Sequence, residues 1–356
     1  MSPIPRTAWT VAAVSGLALA VPAAAQAATK RVFVGLPPAY QKATGDTIEV
    51  NAFFPSNISI HAGDFVAFVP APQGVDIPSG RQELPVDATG RKVSNVNDAA
   101  ETPFWFNGAD ELSFTKGVFK SNYGKTFVKG STRIESGLGL RPNLKPMKVR
   151  FNRPGLYSYY SQIKPGVKGT VRVVGKRSPI PSAKSDAKRV KSQISNALAV
   201  AKTLPNETKP AANTVSVGAE GKGGVHVADM FPKILTVPAG TTVNFLMPKG
   251  STDVHTATFG PGPATDANSY VGGLAASLRG QAPFDPRAIY PSEQPGSLPT
   301  EITPALHGNG FWNTGIMDTV VASLRPPSGK VTFATPGTYE YVCLIHPTMK
   351  GTISVQ

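Results

Sequence analysis

The feature that most constrains this chain is a short C-terminal segment in which a cysteine, a histidine and a methionine stand three residues apart, at Cys343, His346 and Met349. A strand-like run, 338–342, precedes the cysteine, and a second one begins at Gly351. A thiolate, an imidazole and a thioether are ligand types that suit copper, and a trigonal copper site with a weak axial methionine needs only one more histidine. The segment therefore predicts a metal centre held by a loop between two strands.

The missing histidine must come from another part of the chain. His255 lies in a short alternating segment, 253–259, which follows the strand-like run 243–246. Because alternate residues of a strand point to the same face, a strand here can direct His255 toward the C-terminal loop. We therefore predict His255 as the remaining copper ligand.

This combination resembles the cupredoxin family, in which a first histidine follows a strand and Cys-x2-His-x2-Met forms the last loop before the final strand. The short loop is similar to that of pseudoazurin and amicyanin, and the pattern as a whole is plastocyanin-like. The resemblance implies Greek-key β-sandwiches and one type 1 copper held by His255, Cys343, His346 and Met349, with Met349 as the long axial ligand. It also implies that electrons pass through the exposed edge of His346. The alternative interpretation of Cys343 is a small buried apolar residue.

The N-terminus predicts export. Residues 1–27 combine a positive charge at Arg6, an apolar run at 8–20 and a small-residue cleavage site at 25–27, which together are typical of a secretory signal peptide. No later stretch approaches the roughly 20 apolar residues that a membrane span needs. We therefore expect an exported, soluble protein without a transmembrane segment, located in the periplasm, outside the cell or at the cell envelope.

Cys343 is the only cysteine of the chain, so no intrachain disulfide can form. A lone thiol in an exported protein needs a reason. Copper ligation supplies one, because the metal holds the thiolate and shields it from the oxidation that an exposed free thiol would suffer.

The length of 356 residues and the hydrophobic content of 40% indicate a globular chain with two domains. The 35 glycines and 34 prolines lack a period and suit many short strands joined by turns. We expect an all-β protein, with two Greek-key β-sandwiches joined by a linker that contains one amphipathic helix. The predicted boundaries are 28–178 for the first domain, 179–224 for the linker and 225–356 for the copper-binding domain, with long loop-rich insertions at 74–146 and 260–328.

The linker is expected to contain a helix over 183–203. Apolar residues recur there at helical spacing among Lys, Arg, Ser and Gln. Ser182 is the expected N-cap and Pro205 the expected stop. The helix is predicted to lie on one of the domains; a basic helix on a membrane surface is the alternative, although its apolar stripe lacks Trp and Phe. The glycine-rich stretch 218–224 is interpreted as linker.

An internal repeat relates the two domains. Residues 54–63 match 231–240 at an offset of 177, and residues 151–159 match 333–341 at an offset of 182. In the first copy, the positions of the three loop ligands hold Ser161, Lys164 and Val167. The first domain is therefore predicted to be a degenerate copy without copper ligands, and one copper is expected per chain.

Three histidines remain outside this ligand set. His61 precedes a turn and is expected to be solvated, and His226, between two valines, is expected on the polar face of a strand. His307 lies in a glycine-rich segment and is interpreted as a loop residue, with packing close to the copper or a second metal site as the alternatives.

The leading hypothesis is a carrier of single electrons, not an enzyme, in which copper cycles between Cu(I) and Cu(II). A copper storage or delivery protein of the envelope is the alternative, because a Cys/His/Met site also favours Cu(I). A component of a multicopper redox enzyme is disfavoured. Val342 rather than a histidine precedes Cys343, no His-x-His occurs, and five histidines cannot build further copper sites.

The charge is distributed unevenly over a chain with a net charge of +14. Residues 28–178 contain 21 basic and 11 acidic residues, 179–224 contain 7 and 3, and 225–356 contain 7 and 8. One interpretation is a solvated surface. The other is that the basic part docks on an anionic partner, either an acidic redox protein or an anionic surface of the envelope. Nucleic acid is not an expected partner of an exported protein, although a basic surface binds it non-specifically.

Overall fold

A computed structural model of the chain describes residues 27–41, 44, 47–70, 73–79, 85–164, 166–280, 282–319 and 325–356. The predicted signal peptide lies outside these residues except for Ala27, so its cleavage stays a prediction. Within the described residues, no helix has the length and apolar content to span a bilayer. The helices are α1 (Pro38–Gln41), α2 (Ala183–Glu207), α3 (Tyr270–Ser277) and α4 (Pro286–Ile289), with 3₁₀ turns at Lys222–Gly224 and Leu306–Gly308.

The first half of the chain folds mainly into a β-sandwich. Its strands are β1 (Thr29–Val34), β2 (Ile48–Val50), β3 (Phe53–Phe54), β4 (Asn57–His61), β5 (Phe65–Val69), β6 (Asp76–Ile77), β7 (Val86–Lys92), β8 (Asp110–Phe114), β9 (Thr126–Lys129), β10 (Ile134–Glu135), β11 (Met147–Phe151), β12 (Gly155–Tyr160) and β13 (Lys168–Val174). The two sheets have the orders β3-β1-β5-β11-β9 and β10-β6-β12-β13-β4, while β7 and β8 pair separately. Alternation along β11 is typical: Met147, Val149 and Phe151 are buried, whereas Lys148 and Arg150 are exposed.

The second half folds into another sandwich. Its strands are β14 (Thr214–Glu220), β15 (Val225–Phe231), β16 (Ile234–Val237), β17 (Thr241–Leu246), β18 (Thr258–Phe259), β19 (Thr300–Glu301), β20 (Trp312–Asn313), β21 (Ser328–Phe333), β22 (Gly337–Val342) and β23 (Lys350–Val355). One sheet has the order β19-β21-β17-β14-β15-β2 and the other β16-β23-β22-β18-β20. Their inward side chains, among them Val243, Phe245, Phe333 and Ile353, form one buried cluster that also contains Cys343.

The structure corrects the extent of the predicted linker, 179–224. Strand β14 lies within it, yet β14 pairs with both β15 and β17 and is an interior strand of the second sandwich. Strand β2 comes from the first half of the chain, but it pairs with β15, with Val50 opposite Val225. The glycines at 218–224 therefore belong to a β-bulge and a turn, and the second sandwich includes a strand from the N-terminal part of the chain.

Helix α2 begins where it was predicted and ends later. The Ser182 side chain caps it by accepting a hydrogen bond from the Ser185 N–H, as expected of an N-cap. Pro205 does not stop the helix, which continues to Glu207, and Thr208 then donates its N–H to Leu204. A proline has no N–H, so Pro205 removes a single hydrogen bond from the last turn of this helix.

The apolar face of α2 is buried against the second sandwich and the start of the first. Ile194, Ala197, Ala201 and Leu204 share a cluster with residues of β2, β3, β14 and β15. The helix therefore packs on the folded chain, as predicted for a helix that lies on one of the domains.

The two long insertions were expected to be loops, but they carry secondary structure and pack on each other. Strands β6–β10 lie in the first insertion, and α3, α4, β19 and β20 lie in the second. Phe104 and Phe106 from the first share a buried cluster with Leu274 and Phe311 from the second. Leu344, from the predicted metal loop, belongs to the same cluster, so this contact ties the loop to both insertions.

His307 joins the two insertions by hydrogen bonds. Its Nδ1 lies 3.1 Å from an Asp98 carboxylate oxygen and its Nε2 lies 3.0 Å from one of Glu293. Burial by itself lowers the pKa of His307, but the hydrogen bonds to Glu293 and Asp98 outweigh it and raise the pKa above its ordinary value. The protonated imidazole therefore stabilises the folded chain.

This raised pKa predicts a pH-dependent contribution to stability. In the variant His307→Asn, the asparagine tolerates the positive φ of 52° at this position but carries no charge. The stabilisation is fully present below the unfolded pKa of about 6.5 and is lost as pH rises through the raised folded pKa. Relative to the wild type, we expect the variant to lose about 2 kcal/mol of unfolding free energy at low pH and less at high pH. Denaturant titration between roughly pH 5.5 and 9 measures this difference.

Phe104→Leu provides the matched control for this prediction, because Phe104 packs against the same imidazole without titrating. Its destabilisation should be constant over the same pH range. A loss in His307→Asn that is equally constant would contradict the role of the protonated imidazole.

Candidate metal centre

The loop between β22 and β23 brings the cysteine and the methionine of the motif together. Cys343 directly follows β22, Met349 directly precedes β23, and both are fully buried. The N–H of Cys343 donates to the carbonyl of Met349 (2.9 Å), and the N–H of Met349 donates to the carbonyl of His346 (2.7 Å). These bonds close the loop, so the backbone itself holds the motif in place.

His255 reaches the loop from the segment before β18. The strand predicted over 254–259 is regular only at β18, but His255 forms an isolated bridge with Met317. The Met317 N–H donates to the His255 carbonyl (2.8 Å), and the His255 N–H donates to the Met317 carbonyl (3.2 Å). His255 is fully buried, and its ring faces Cys343.

Three potential ligand atoms converge. The Cys343 Sγ lies 3.7 Å from the His255 Nδ1 and 3.8 Å from the His346 Nδ1, and the two Nδ1 atoms are 3.1 Å apart. A point in the plane of a triangle with these sides lies about 2.1 Å from all three atoms, close to the usual distances from a metal to imidazole nitrogen and thiolate sulfur. The spacing therefore fits a single ion bound in trigonal geometry.

Met349 is buried in the same cluster as Cys343. Its axial role stays a prediction.

The electrostatics of the metal-free site differ among its three groups. Burial raises the thiol pKa of Cys343, but the hydrogen bond and the charge of His346 outweigh it and bring that pKa below its ordinary value. The Thr256 N–H also donates to the sulfur, at 3.4 Å. Burial, together with the neighbouring imidazoles His226 and His346, holds the pKa of His255 well below its ordinary value, so His255 is neutral.

His346 carries the proton when no metal is bound. Burial alone lowers the pKa of His346, yet the contacts with Cys343 and Asp253 raise it to about 9. The metal-free site therefore combines a protonated His346 with a Cys343 thiol whose pKa is lowered. A cation held by these atoms would have to displace the His346 proton, because metal ligands must be deprotonated.

His226 is not on the polar face of a strand, as predicted, but is completely buried beside the site. The prediction failed because β15 is an interior strand, paired with β14 on one side and β2 on the other, and both of its faces are covered. The His226 Nε2 lies 2.8 Å from the His255 Nε2, and its Nδ1 lies 3.1 Å from a Glu220 carboxylate oxygen. No sequence pattern indicated this contact.

Lys164 provides a contact from the first sandwich that the sequence did not reveal. Its Nζ forms a 2.6 Å ion pair with Glu49 and another with Asp253. Burial by itself lowers the pKa of Lys164, but the charges of Asp253 and Glu49 raise it above its ordinary value. The His346 Nε2 lies 3.9 Å from an oxygen of each carboxylate, so the lysine neutralises acidic groups next to the site.

Contacts away from the metal centre are made by Ser161 and Val167 and by the histidines His61 and His307. Ser161 donates its hydroxyl to the Gln73 carbonyl and accepts a hydrogen bond from the Lys164 N–H, and Val167 is buried in the core of the first sandwich. His61 is half-buried, with its Nε2 2.9 Å from the Ser178 carbonyl. Among the described residues, His307 belongs to none of the groups of three that could hold a metal.

Comparison with known proteins gives no close relative. No protein-family model matches the sequence, and no curated protein matches it. Amicyanin from Paracoccus versutus is 16% identical over 43% of this chain and 89% of its own, with a TM-score of 0.22. A Cu(I) amicyanin variant is 17% identical over 43% of this chain and 90% of its own, with a TM-score of 0.21.

A fern plastocyanin variant is 23% identical over 40% of this chain and 99% of its own, with a TM-score of 0.21. These structural neighbours are cupredoxins. At such TM-scores the similarity carries no argument, so the function must be inferred from the site.

The geometry predicts that metal binding stabilises the fold. Bound Cu(II) should raise the unfolding free energy. The gain should be about 4 kcal/mol when the free copper concentration is 1,000-fold above the dissociation constant. His255→Ala should lose most of this gain, because it removes one of the three converging atoms. His61→Ala, in the first sandwich, should keep it. Calorimetry with and without copper measures the difference, and equal gains in both variants would contradict the assignment of His255.

Proposed function

We propose that the protein is an exported carrier of single electrons, with one type 1 copper bound by His255, Cys343 and His346 and by Met349 as the axial ligand. The observation that carries the proposal is the triangle of one sulfur and two nitrogens, whose sides suit a trigonal copper site. Bound copper would supply reversible one-electron chemistry. The task of the protein is to hold the ligands in one arrangement for both oxidation states.

Several contacts support such a rigid arrangement. Besides the two backbone bonds that close the loop, the Leu344 N–H donates to the Thr256 hydroxyl (2.9 Å), which in turn contacts the Thr258 hydroxyl. Leu344 is buried in the cluster formed by the insertions. Because packed side chains and satisfied hydrogen bonds resist rearrangement, the ligands need to move little when the copper changes its charge.

In this proposal the electron passes through His346. The side chain of His346 is 17% exposed, and its Nε2 faces Glu49 and Asp253. Thr348 is exposed beside it, and Pro347 is half-buried. This accessible part is small, which fits the brief contact of an electron-transfer partner.

We also infer that the two sandwiches are copies of one fold and that the first has lost its ligands. Their last two strands support this, because Gly155 pairs with Val173 in the first and Gly337 with Val355 in the second. The following tyrosines agree, since each donates its hydroxyl to the carbonyl four residues earlier, Tyr157 to Arg153 and Tyr339 to Thr335. The loss of ligands rests on the residues at the three matching positions of the repeat, Ser161, Lys164 and Val167.

Copper storage or delivery is the alternative, favoured by the soft thiolate and thioether ligands. Copper transfer to a chelator separates the two functions. Fast release argues for delivery, whereas slow release with reversible reduction argues for electron transfer. A multicopper enzyme has less support, because the 356 residues contain no His-x-His.

The proposed copper site predicts a blue protein. Adding Cu(II) to the purified, full-length mature chain should give an intense visible absorption, because charge moves from the Cys343 thiolate to the metal. Cys343→Ser should abolish the colour, since a hydroxyl is not a soft anionic donor. Visible spectroscopy together with elemental analysis measures both.

A colourless wild type that contains no copper would refute the proposed function. Zinc also suits a thiolate and two imidazoles, so the colour and not the metal content alone decides.

The axial role of Met349 predicts a change in reduction potential. Met349→Leu should keep the copper and raise the potential by an amount on the order of 60 mV, equivalent to a tenfold change in relative affinity, because losing a weak donor destabilises Cu(II) more than Cu(I). Met247→Leu is the matched control, since Met247 is buried in the same cluster. Voltammetry of both variants makes the comparison, and equal potentials would exclude Met349 as a ligand.

We further propose that the basic part of the chain docks on an anionic surface while the second sandwich exchanges the electron. The support is the charge distribution, with 21 basic and 11 acidic residues in 28–178, and the row of exposed lysines on α2, Lys184, Lys188 and Lys191. This proposal includes an acidic redox partner and the anionic lipids and polymers of an envelope.

Docking of this kind should weaken steeply with salt, because the Debye length falls from about 10 Å at 0.1 M to about 3 Å at 1 M. Changing the three α2 lysines to glutamate should reduce co-sedimentation with phosphatidylglycerol vesicles at low salt. The control changes three exposed lysines of the second sandwich, Lys249, Lys330 and Lys350. Equal losses in both triple variants would show that total charge, and not the basic part, determines binding.

A further inference from the structure

We propose that Glu220 and His226 are positioning residues that fix the tautomer of His255 and so present its Nδ1 to the copper. This inference rests on the proposed copper site. It assigns a role to a partly buried carboxylate of β14 and a completely buried histidine of β15.

The three side chains form a continuous row, in which both histidines are completely buried and Glu220 is partly buried. A Glu220 carboxylate oxygen lies 3.1 Å from the His226 Nδ1, and the His226 Nε2 lies 2.8 Å from the His255 Nε2. The two imidazole rings are nearly parallel, with an interplanar angle of 19°. The other nitrogen of His255, Nδ1, faces Cys343 and His346.

The order of donors along this row follows from the carboxylate. An ionised carboxylate only accepts hydrogen bonds, so the proton on the His226 Nδ1 must point at Glu220. In this proposal, that is the only proton on the His226 ring, so its Nε2 can only accept. The short contact with His255 therefore requires that His255 carry its proton on Nε2. This leaves a lone pair on the His255 Nδ1, the atom that faces the other two ligands.

Glu220 is itself held in place. The Thr252 hydroxyl donates to one carboxylate oxygen (3.0 Å), and the Thr252 N–H donates to the other (3.1 Å). Thr252 lies three residues before His255, so one segment of chain carries both the ligand and the anchor of the residue that orients it. Outer groups of this kind determine the tautomer and ring orientation of histidine ligands in metal sites.

Gly218 shows that the fold makes room for the histidine pair. It lies at the bulge between β14 and β15 with a φ of +91°. A Cβ at this position would approach the His226 Cε1 to 2.8 Å and the His255 Nε2 to 3.1 Å. A glycine is therefore required both by its backbone conformation and by the two rings that pack over it.

A second metal ion at His226, Asp253 and His255 is the competing explanation, because these residues also bring potential ligand atoms together. Two observations favour the hydrogen-bonded row. The separation of 2.8 Å between the two Nε2 atoms is that of a hydrogen bond, and the Asp253 carboxylate is already paired with the Lys164 ammonium.

The direct test is the tautomer of His255, observed by ¹⁵N NMR of the imidazoles in the metal-free full-length mature protein. We expect an unprotonated Nδ1 and a protonated Nε2 in the wild type. His226→Gln should retain this state, because its amide oxygen can accept the same hydrogen bond. His226→Leu should populate the other tautomer. Wild-type His255 with its proton on Nδ1 would overturn the proposal, and this result does not depend on copper binding.

The consequence for the metal is tested on the same variants. We expect the dissociation constant for Cu(I) to rise about 10- to 100-fold in His226→Leu, the usual effect of losing such an outer contact, and to change little in His226→Gln. Glu220→Gln should give an intermediate loss, because an amide can also donate to His226 and reverse the row. It serves as the second variant if the leucine protein fails to fold.

Three outcomes of this titration oppose the proposal. Wild-type affinity in both His226→Leu and Glu220→Gln would overturn it. Equal weakening in His226→Gln and His226→Leu would show that the imidazole itself, and not an acceptor, is required. A second equivalent of metal that is lost with His226 would establish the competing site. If neither the wild type nor any variant binds copper, the proposed function fails. The NMR result still decides the tautomer of His255 in that case.

Discussion

The structure depends on keeping three electron-pair donors together in a space that excludes water. Cys343 and His255 are fully buried, and an ionised thiolate or an unpaired imidazole is costly there unless another group compensates it. In the absence of metal, the proton on His346 provides that compensation. A bound cation does so more completely, so the same burial that makes the metal-free site costly makes the metal-bound site favourable.

The surrounding fold supports this arrangement from three directions. The backbone bonds between Cys343 and Met349 determine the shape of the loop, and the bridge to Met317 determines the position of His255. The cluster formed by the two insertions covers the loop at Leu344. Through these contacts the long insertions, with their own strands and helices, support the candidate site.

The first sandwich contributes a charged contact beside the site. Lys164 extends to Asp253 and Glu49 next to the loop that carries Cys343 and His346. A buried ion pair contributes little net stability, but removing one partner leaves an uncompensated charge and is costly. The lysine therefore makes the two halves of the chain interdependent, as do β2 in the second sheet and α2 across both.

The sequence by itself determined the features that depend on local spacing. Cys343, His346 and Met349 lie within one turn of loop, so their proximity follows from chain connectivity, and the alternation of β11 and β22 follows from the two-residue period of a strand. The Ser182 N-cap of α2 could also be predicted from the sequence, because an N-cap forms its hydrogen bond within the next three residues.

Only the tertiary structure decided which distant groups meet. The burial of His226 could not be predicted, because its neighbours along the chain do not show that β15 is an interior strand or that His226 packs against His255. The last residues of α2 depend on how that helix packs, and the structure of the insertions depends on apolar residues that meet partners from distant parts of the chain. Glu220, His226 and Lys164 contact the centre through pairing and packing across long stretches of chain. Such contacts depend on which surfaces are buried together, and the residues on either side of a position do not encode this.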